Sequence, residues 1–501
     1  MTRDHLLVID QGTTSTRAVV YDSRLRPVGQ SQREVLPSYP RSGWVEHEPD
    51  EIIGSVGSQI TGAMLDAGVK ADRIAAIGLT NQRETTLIWE RATGRAIAPA
   101  LVWQDRRTAE TCERLKLHQP DVTHQTGLVI DPYFSATKIA WILDHVPRAR
   151  ERAQAGELAA GTVDTFVIWH LTGGTQFVTD ATNASRTLLM ELRTMRWSEK
   201  LCDLFDVPPG LLAEIRPSAG DFGVTKGLDY LPDGLPICGV AGDQQASLVG
   251  QGCISSGQAK CTYGTGAFLL AHTGDRIVPS RRGLITTLAA TLADEPPQYA
   301  LEGSVFVAGA AVQWFRDGLH AIGASHEISA LALASRHENE LIFVPALTGL
   351  GAPHWEPSAR GAIFGITRAT GVADLARATL EGVAFQVADL IDSMHADLAA
   401  PLTEIRVDGG MAQSDPFLQF QADLLNLPIQ RSPHTESTAL GAALLAGLGA
   451  GVWPNSTAAC ELLQSGIGTF KPSRDQAWRD QVRSRWRRAV DCVIRQSKEI
   501  N

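Results

Sequence analysis

No Cys-x-x-Cys pair occurs among the seven cysteines (Cys112, Cys202, Cys238, Cys253, Cys261, Cys460 and Cys492), and an odd number closes no complete disulfide framework. A zinc site and a disulfide-stapled scaffold are both disfavoured. No apolar run reaches the ~20 residues that a membrane span needs. The longest, "ALGAALLAGLGAGVW" at 439–453, is rich in Ala and Gly. Positive charge is not in excess: 45 Lys and Arg against 55 Asp and Glu leave −10, which disfavours unspecific attraction to nucleic acid or anionic lipid. Strand-like sequence begins by residue 6 with no basic-then-apolar leader before it, so a cytoplasmic location is expected. Two nucleotide signatures are missing as well. There is no GxxxxGK[ST], and "YGTGAFL" lacks the third glycine of the dinucleotide fingerprint, so any nucleotide is held by another scheme.

What is present is ample material for folded cores. Hydrophobic residues make up 44% and charged residues 20% of 501 positions, an ordinary globular balance. At roughly 150 residues per domain, the length predicts at least two. Helix-period stretches alternate with short β-branched runs, the pattern of α/β architecture. Ile52, Ile53, Val56, Ile60 and Met64 mark one helical face, and Val383, Val387, Leu390, Ile391 and Met394 another. Candidate strands are 74–80, 237–243, 260–266 and 404–410, each ending in Gly, Thr or Asp, where ligand-contacting loops of α/β sheets sit.

Two stretches read alike. "LLVIDQGTTSTRAVV" (6–20) and "QAKCTYGTGAFLLAH" (258–272) each run strand, tight Gly/Thr turn, strand, about 250 residues apart. The repeat predicts two related domains facing a cleft, 1–250 and 251–501. Near the C-terminus Trp478, Val482, Trp486, Val490 and Val493 recur at helical spacing beside Arg483, Arg485, Arg487 and Arg488. A packed helix with a solvated basic face is the expectation, a partner-binding surface the alternative.

Each loop carries a chemical reading and a plainer one. A turn dense in Gly, Ser and Thr offers backbone N–H and hydroxyl donors to phosphate, with Asp10 beside it as a hard oxygen ligand for Mg²⁺; an ordinary hairpin is the alternative. The second copy at Thr262 to Gly266 and the Gly409–Gly410 turn favour phosphate. In "VDGGMAQSDPFLQF", Asp415 and Pro416 read as N-cap and first turn, and the glycines leave room for a flat ring. "LTNQRETT" sets Arg83 beside Glu84, donor and acceptor for a small polyol or else a surface ion pair. Asp243 and Gln244 follow an apolar strand, where a carboxylate suits the base of phosphoryl transfer or caps a helix. Trp103, Tyr133 and Phe268 are either the apolar wall of a pocket or core.

In order along the chain, "DQGTTSTRAVV", "GWVEHEP", "GLTNQRETT", "YFSATKIAWIL", "GTVDTFVIWHLTGG", "TDATNASRT", "GDQQASL", "YGTGAF", "FVPALTGLGAPHWEPSARGAIFGITR" and "VDGGMAQSD" resemble the motifs of the FGGY carbohydrate kinases. "NQRETT" and "GDQQA" resemble those members that act on glycerol. The resemblance implies an α/β fold of two actin-like, or ribonuclease-H-like, ATPase domains flanking a catalytic cleft. It implies ATP and Mg²⁺ as cofactors, and direct in-line transfer to glycerol giving sn-glycerol 3-phosphate, the first step of glycerol catabolism. Carried over position by position, Asp10 and Asp243 would attend the metal, and Thr13, Thr14, Ser15 and Arg17 the transferred phosphate. Thr265, Gly309, Gln313, Gly410 and Ser414 would line the nucleotide. Arg83, Glu84, Tyr133, Asp243 and Gln244 would hold glycerol, with Trp103 and Phe268 as its apolar wall and Asp243 as base. A homodimer or tetramer is implied too. Before the 237–243 strand the chain reads "TKGLDYLPDGLP", without the Gly-Gly-Thr-Arg loop that serves fructose bisphosphate in some relatives, and 470–482 departs from the surface that enteric relatives offer a sugar-transport regulator, so neither control is expected. The rival readings are a kinase for another polyol or ketose, and an actin-like filament or chaperone that uses ATP as a switch.

Overall fold

The computed structural model describes residues 3–292, 295–336, 341–398, 400–433, 436–463 and 466–500. The apolar run Leu6 to Ile9 forms the strand His5–Gln11, buried on both faces as a strand covered on either side by helices must be. It lies third in a five-stranded sheet ordered Ile237–Gly242, Ile74–Asn81, His5–Gln11, Ser15–Asp22, Pro27–Glu34. The last three strands pair antiparallel and the first two join in parallel. The predicted helix at residues 52–64 is Pro49–Ala67, opened by a proline with Asp50 and Glu51 in its first turn and closed by left-handed Gly68. It buries Ile52, Val56, Ile60 and Ala63.

The second sheet repeats this plan. Within its seven strands, Tyr299–Val305, Ala267–Gly274 and Gln258–Tyr263 are antiparallel neighbours, and Glu404–Gly409 and Ile429–Arg431 continue in parallel. Order and direction match the first sheet strand for strand, the duplicated core of an actin-like ATPase fold. The second hairpin's first strand ends at Tyr263, so residues 264–266 belong to its turn and not to the strand expected over 260–266.

Helix Val372–Asp397 buries the expected face through Val383, Val387, Leu390, Ile391 and Met394. The Phe385 ring stacks on Trp486 of the C-terminal helix Gln476–Ile500, with centroids 5.0 Å apart. That helix is not solvated on its whole basic side: Arg483 donates to the Leu424 carbonyl at 2.9 Å and pairs with Asp392.

The 439–453 run lies mostly in helix Ser437–Gly449, packed on the first sheet against strands Ile237–Gly242, Ile74–Asn81 and His5–Gln11. It crosses helix Asp243–Gly250 so closely that a Cβ at Gly441 would stand 1.8 Å from the Ala246 carbonyl oxygen, and one at Gly250 1.9 Å from that of Ser437. Among the described residues no helix is long and apolar enough to cross a membrane.

Candidate active site

Main-chain bonds fix both hairpin turns. In the first, Gly12 donates to the Ser15 carbonyl at 2.9 Å and Val35 to that of Thr14 at 2.9 Å, leaving Thr14 exposed and Thr13 and Ser15 half-buried. Arg17 leaves the same hairpin and donates to Gln32 Oε1 through Nε (3.1 Å) and Nη2 (2.6 Å), while Nη1 pairs with Glu436. Asp10 is the last residue but one of the strand before the turn. Burial, reinforced by Asp243 and Glu436 and only partly opposed by Arg17, raises its carboxyl to about 7. Asp10 thus feels two further carboxylates and one guanidinium, a local excess of hard oxygen donors of the kind that suits Mg²⁺. Among the described residues no three His, Cys, Asp or Glu side chains form a complete cage, and Mg²⁺ on a nucleotide needs none.

The second turn is strapped to the segment after strand Tyr299–Val305. Ala308 and Ala310 donate to the Thr265 carbonyl at 2.9 and 3.0 Å, and Gly309 donates to that of Gly264 at 2.9 Å. Thr265, Gly309, Gln313, Gly410 and Ser414 all line one cavity of about 470 Å³, a volume suited to a nucleotide. Gly409 has φ +89°, and a Cβ there would meet the Tyr263 carbonyl at 2.4 Å, so the turn needs glycine. A Cβ on Gly410 would meet nothing within 4 Å. Ser414, not Asp415 as expected, caps the helix Asp415–Leu425: its hydroxyl accepts from Phe417 N and bonds Ser329 at 2.8 Å. Asp415 is already helical, which moves Pro416 to the second position.

Arg83 and Glu84 are no surface pair. Both are buried, and their direct approach is a loose 3.9 Å. Arg83 instead grips Glu302 with two bonds (2.6 and 3.0 Å) and sets Nε 3.2 Å from Asp243 Oδ1. Glu84, at the unusual φ of +61°, accepts from Arg186 Nε at 2.6 Å, and Arg186 Nη2 returns to Glu302 at 3.1 Å. The two guanidiniums overcome burial and hold Glu302 down at about 2, whereas burial raises Glu84 despite Arg186 and Arg83. Buried Lys138 fixes the main chain of this corner by donating to the carbonyls of Glu84 (3.2 Å) and Tyr133 (2.7 Å).

Asp243 opens helix Asp243–Gly250 as its first residue with Gly242 as cap, so the capping alternative does not describe it. Its Oδ1 accepts the Gln244 N–H at 2.7 Å, its side chain remains 34% exposed, and it repels Asp10. Gln244 accepts from buried Lys260. Trp103 and Tyr133 meet edge to face at 5.5 Å, and the Trp103 indole N–H donates to Thr13 Oγ1 at 2.8 Å. Phe268, half-buried, enters from the second sheet opposite Ser304, on the face that also carries Glu302.

Arg186, Glu302, Lys138, Lys260 and Glu436 escaped the sequence reading. Arg186 lies in the quoted "TDATNASRT", but nothing local to it points to partners 102 and 116 residues away.

Residues 5–250 match the N-terminal domain of the FGGY family of carbohydrate kinases and residues 259–450 its C-terminal domain. The chain is 49% identical to a glycerol kinase of Myxococcus xanthus over 490 residues, 97% of this chain and 99% of that one. It is 51% identical to a glycerol kinase of Methylobacterium nodulans over 494 residues, 98% of each. The structure of Plasmodium falciparum glycerol kinase with ADP superposes with a TM-score of 0.93 at 37% identity, covering 98% of both chains. A gluconate kinase from Lactobacillus acidophilus shares the fold, with a TM-score of 0.88 at 22% identity over 99% of both chains. The chain belongs to the FGGY family of carbohydrate kinases.

Proposed function

We propose that this chain transfers the γ-phosphoryl group of ATP to a terminal hydroxyl of glycerol, giving sn-glycerol 3-phosphate, with Asp243 as general base. The observation that carries the reading is the buried Arg83–Glu302–Arg186–Glu84 cluster opening onto Asp243, itself electrostatically coupled to Asp10. Such a site sets charged donors and acceptors in fixed places for a few hydroxyls. The near-full-length likeness to glycerol kinases at about half identity favours glycerol over the gluconate or xylulose of the more distant structural neighbours.

In this reading Arg83 donates to, and Glu84 accepts from, the glycerol hydroxyls, and Tyr133, Trp103 and Phe268 shield its carbon chain. Asp243 takes the proton of the attacking hydroxyl, and the Arg83 Nε–H at 3.2 Å keeps that carboxylate oriented. Gln244 lies beside it. Thr13, Thr14, Ser15 and Arg17 receive the transferred phosphate, and Thr265, Gly309, Gln313, Gly410 and Ser414 embrace the nucleotide. Asp10 and Asp243 would hold Mg²⁺, which when bound would neutralise charge developing on the phosphate oxygens. ADP in the superposed Plasmodium structure supports the nucleotide assignment. Domains 1–250 and 251–501 would move together on the substrates and exclude water.

A cytoplasmic homodimer or tetramer completes the proposal. Among the described residues all seven cysteines are free, and six are buried, as suits a reducing compartment. ATP consumption with glycerol, dihydroxyacetone, xylulose, gluconate or no acceptor tests the substrate. Xylulose- or gluconate-dependent turnover would move the substrate, and acceptor-independent hydrolysis would favour a switch protein.

A further inference from the structure

Every side chain assigned to hold glycerol lies in the chain before the second hairpin, except Phe268. Their fixed orientations, however, depend on a residue from the second sheet. Glu302 sits in strand Tyr299–Val305, three strands removed from Glu404–Gly409 and the nucleotide turn that follows it. The residue is 4% exposed, and its carboxylate receives three bonds: two from Arg83, at 2.6 and 3.0 Å, and one from Arg186 at 3.1 Å. Arg186 passes the constraint on to Glu84 at 2.6 Å. Arg83 thereby spends both terminal nitrogens on Glu302 and turns its Nε toward Asp243.

A bidentate guanidinium–carboxylate pair is a planar, directional joint, and in a buried place it is stiff because neither partner has water to turn to. Without Glu302, Arg83 and Arg186 would face each other with Glu84 and Asp243 as their remaining carboxylates. Two guanidiniums so placed repel, and the Arg83 plane loses its reference. The other groups touching the cluster come from Gln245, whose Oε1 accepts weakly from Arg83 at 3.3 Å, and from the Tyr133 and Phe134 rings, whose centroids lie 5.8 and 5.3 Å from the Arg186 guanidinium carbon. None of these can replace a charged bidentate acceptor.

We infer that Glu302 is a positioning residue of the acceptor site: reaching across from the second sheet, it sets Arg83 and, through Arg186, Glu84 in their glycerol-binding orientations, so the acceptor pocket is complete only while the two sheets keep this relation. This rests on the glycerol assignment above. It makes acceptor affinity, and not nucleotide affinity, the quantity that reports the joint. Occupancy by glycerol then favours the arrangement in which both sheets contribute, by the ordinary rule that a ligand stabilises the state that binds it better.

The test is Glu302→Gln, which preserves shape and removes the charge. KM is measured separately for glycerol and for ATP, and the rise in thermal midpoint is recorded with glycerol alone and with ADP alone. The expected result is a glycerol KM raised about 30-fold or more, an ATP KM within threefold of wild type, and loss of the glycerol-induced thermal rise with the ADP-induced rise retained. A glycerol KM within threefold of wild type would overturn the inference. So would equal losses toward glycerol and nucleotide, which a merely structural role produces. If Glu302→Gln does not fold, Glu302→Asp, one methylene short, is read by the same two ratios. A wild type that uses ATP but ignores glycerol would instead overturn the function on which the inference rests.

Discussion

Trp103 donates its indole N–H to the hydroxyl of Thr13 at 2.8 Å. One residue meets Tyr133 edge to face and the other lies in the first hairpin turn, so in the proposed reading the bond ties the acceptor side of the site to the phosphate side. Trp103→Phe keeps most of the ring and removes the donor. A neutral hydrogen bond contributes about 1 kcal/mol, so kcat/KM for glycerol should fall several-fold, with steady-state kinetics as the check. Thr13→Val should lower it similarly, and the double variant should cost less than the sum if the bond itself matters.

Asp10 leads to a pH prediction. Its folded value near 7 lies above the 3.8 of a free side chain, so between those values the folded protein binds a proton that the unfolded chain does not. The stability this contributes is present below pH 3.8 and is lost as pH rises through 7. In its proposed role beside a magnesium nucleotide, Asp10 acts in the ionised form. Binding at pH 6 should therefore release close to one proton, and at pH 8 almost none. Calorimetry in two buffers of different ionisation enthalpy measures this, and Asp10→Asn should abolish it.

At Gly410 an added side chain would enter open space beside the 470 Å³ cavity proposed to hold the nucleotide. Gly410→Val should leave the melting temperature nearly unchanged and raise the ATP KM, by roughly 5- to 150-fold if the clash costs ~1–3 kcal/mol. The glycerol KM should stay within a few-fold.

Gly441 is the opposite case. A methyl group there would overlap the Ala246 carbonyl at 1.8 Å, where the two central helices cross. Gly441→Ala should destabilise by about 1–3 kcal/mol or more in urea denaturation. Gly54, exposed in helix Pro49–Ala67 with nothing near its Cβ position, is the control: Gly54→Ala should stabilise by up to ~1 kcal/mol.

The duplicated core was legible because it is local. A strand, a Gly/Thr turn and a returning strand fit in fifteen residues, and both copies fold as hairpins paired as read. The cavity-lining residues were legible only through resemblance, since a double glycine before a helix has no chemistry of its own. Arg83 and Glu84 show what adjacency hides. Neighbours in sequence, they take separate partners, Glu302 lying 219 residues beyond Arg83 and Arg186 102 beyond Glu84. No periodicity encodes such pairings, because they arise when two sheets meet. Ser414 and Asp415 are both good caps, and the choice was made by the turn that delivers Ser414 in extended conformation.

The role of Asp243 as the base of glycerol phosphorylation is open to measurement through the turnover of Asp243→Asn against wild type in saturating MgATP and glycerol, with glycerol 3-phosphate quantified as product. The expected result is strong glycerol-dependent turnover in the wild type, a kcat lowered about 10²- to 10⁴-fold in the variant, and a nucleotide affinity that changes far less. A variant that phosphorylates glycerol at the wild-type rate would contradict it.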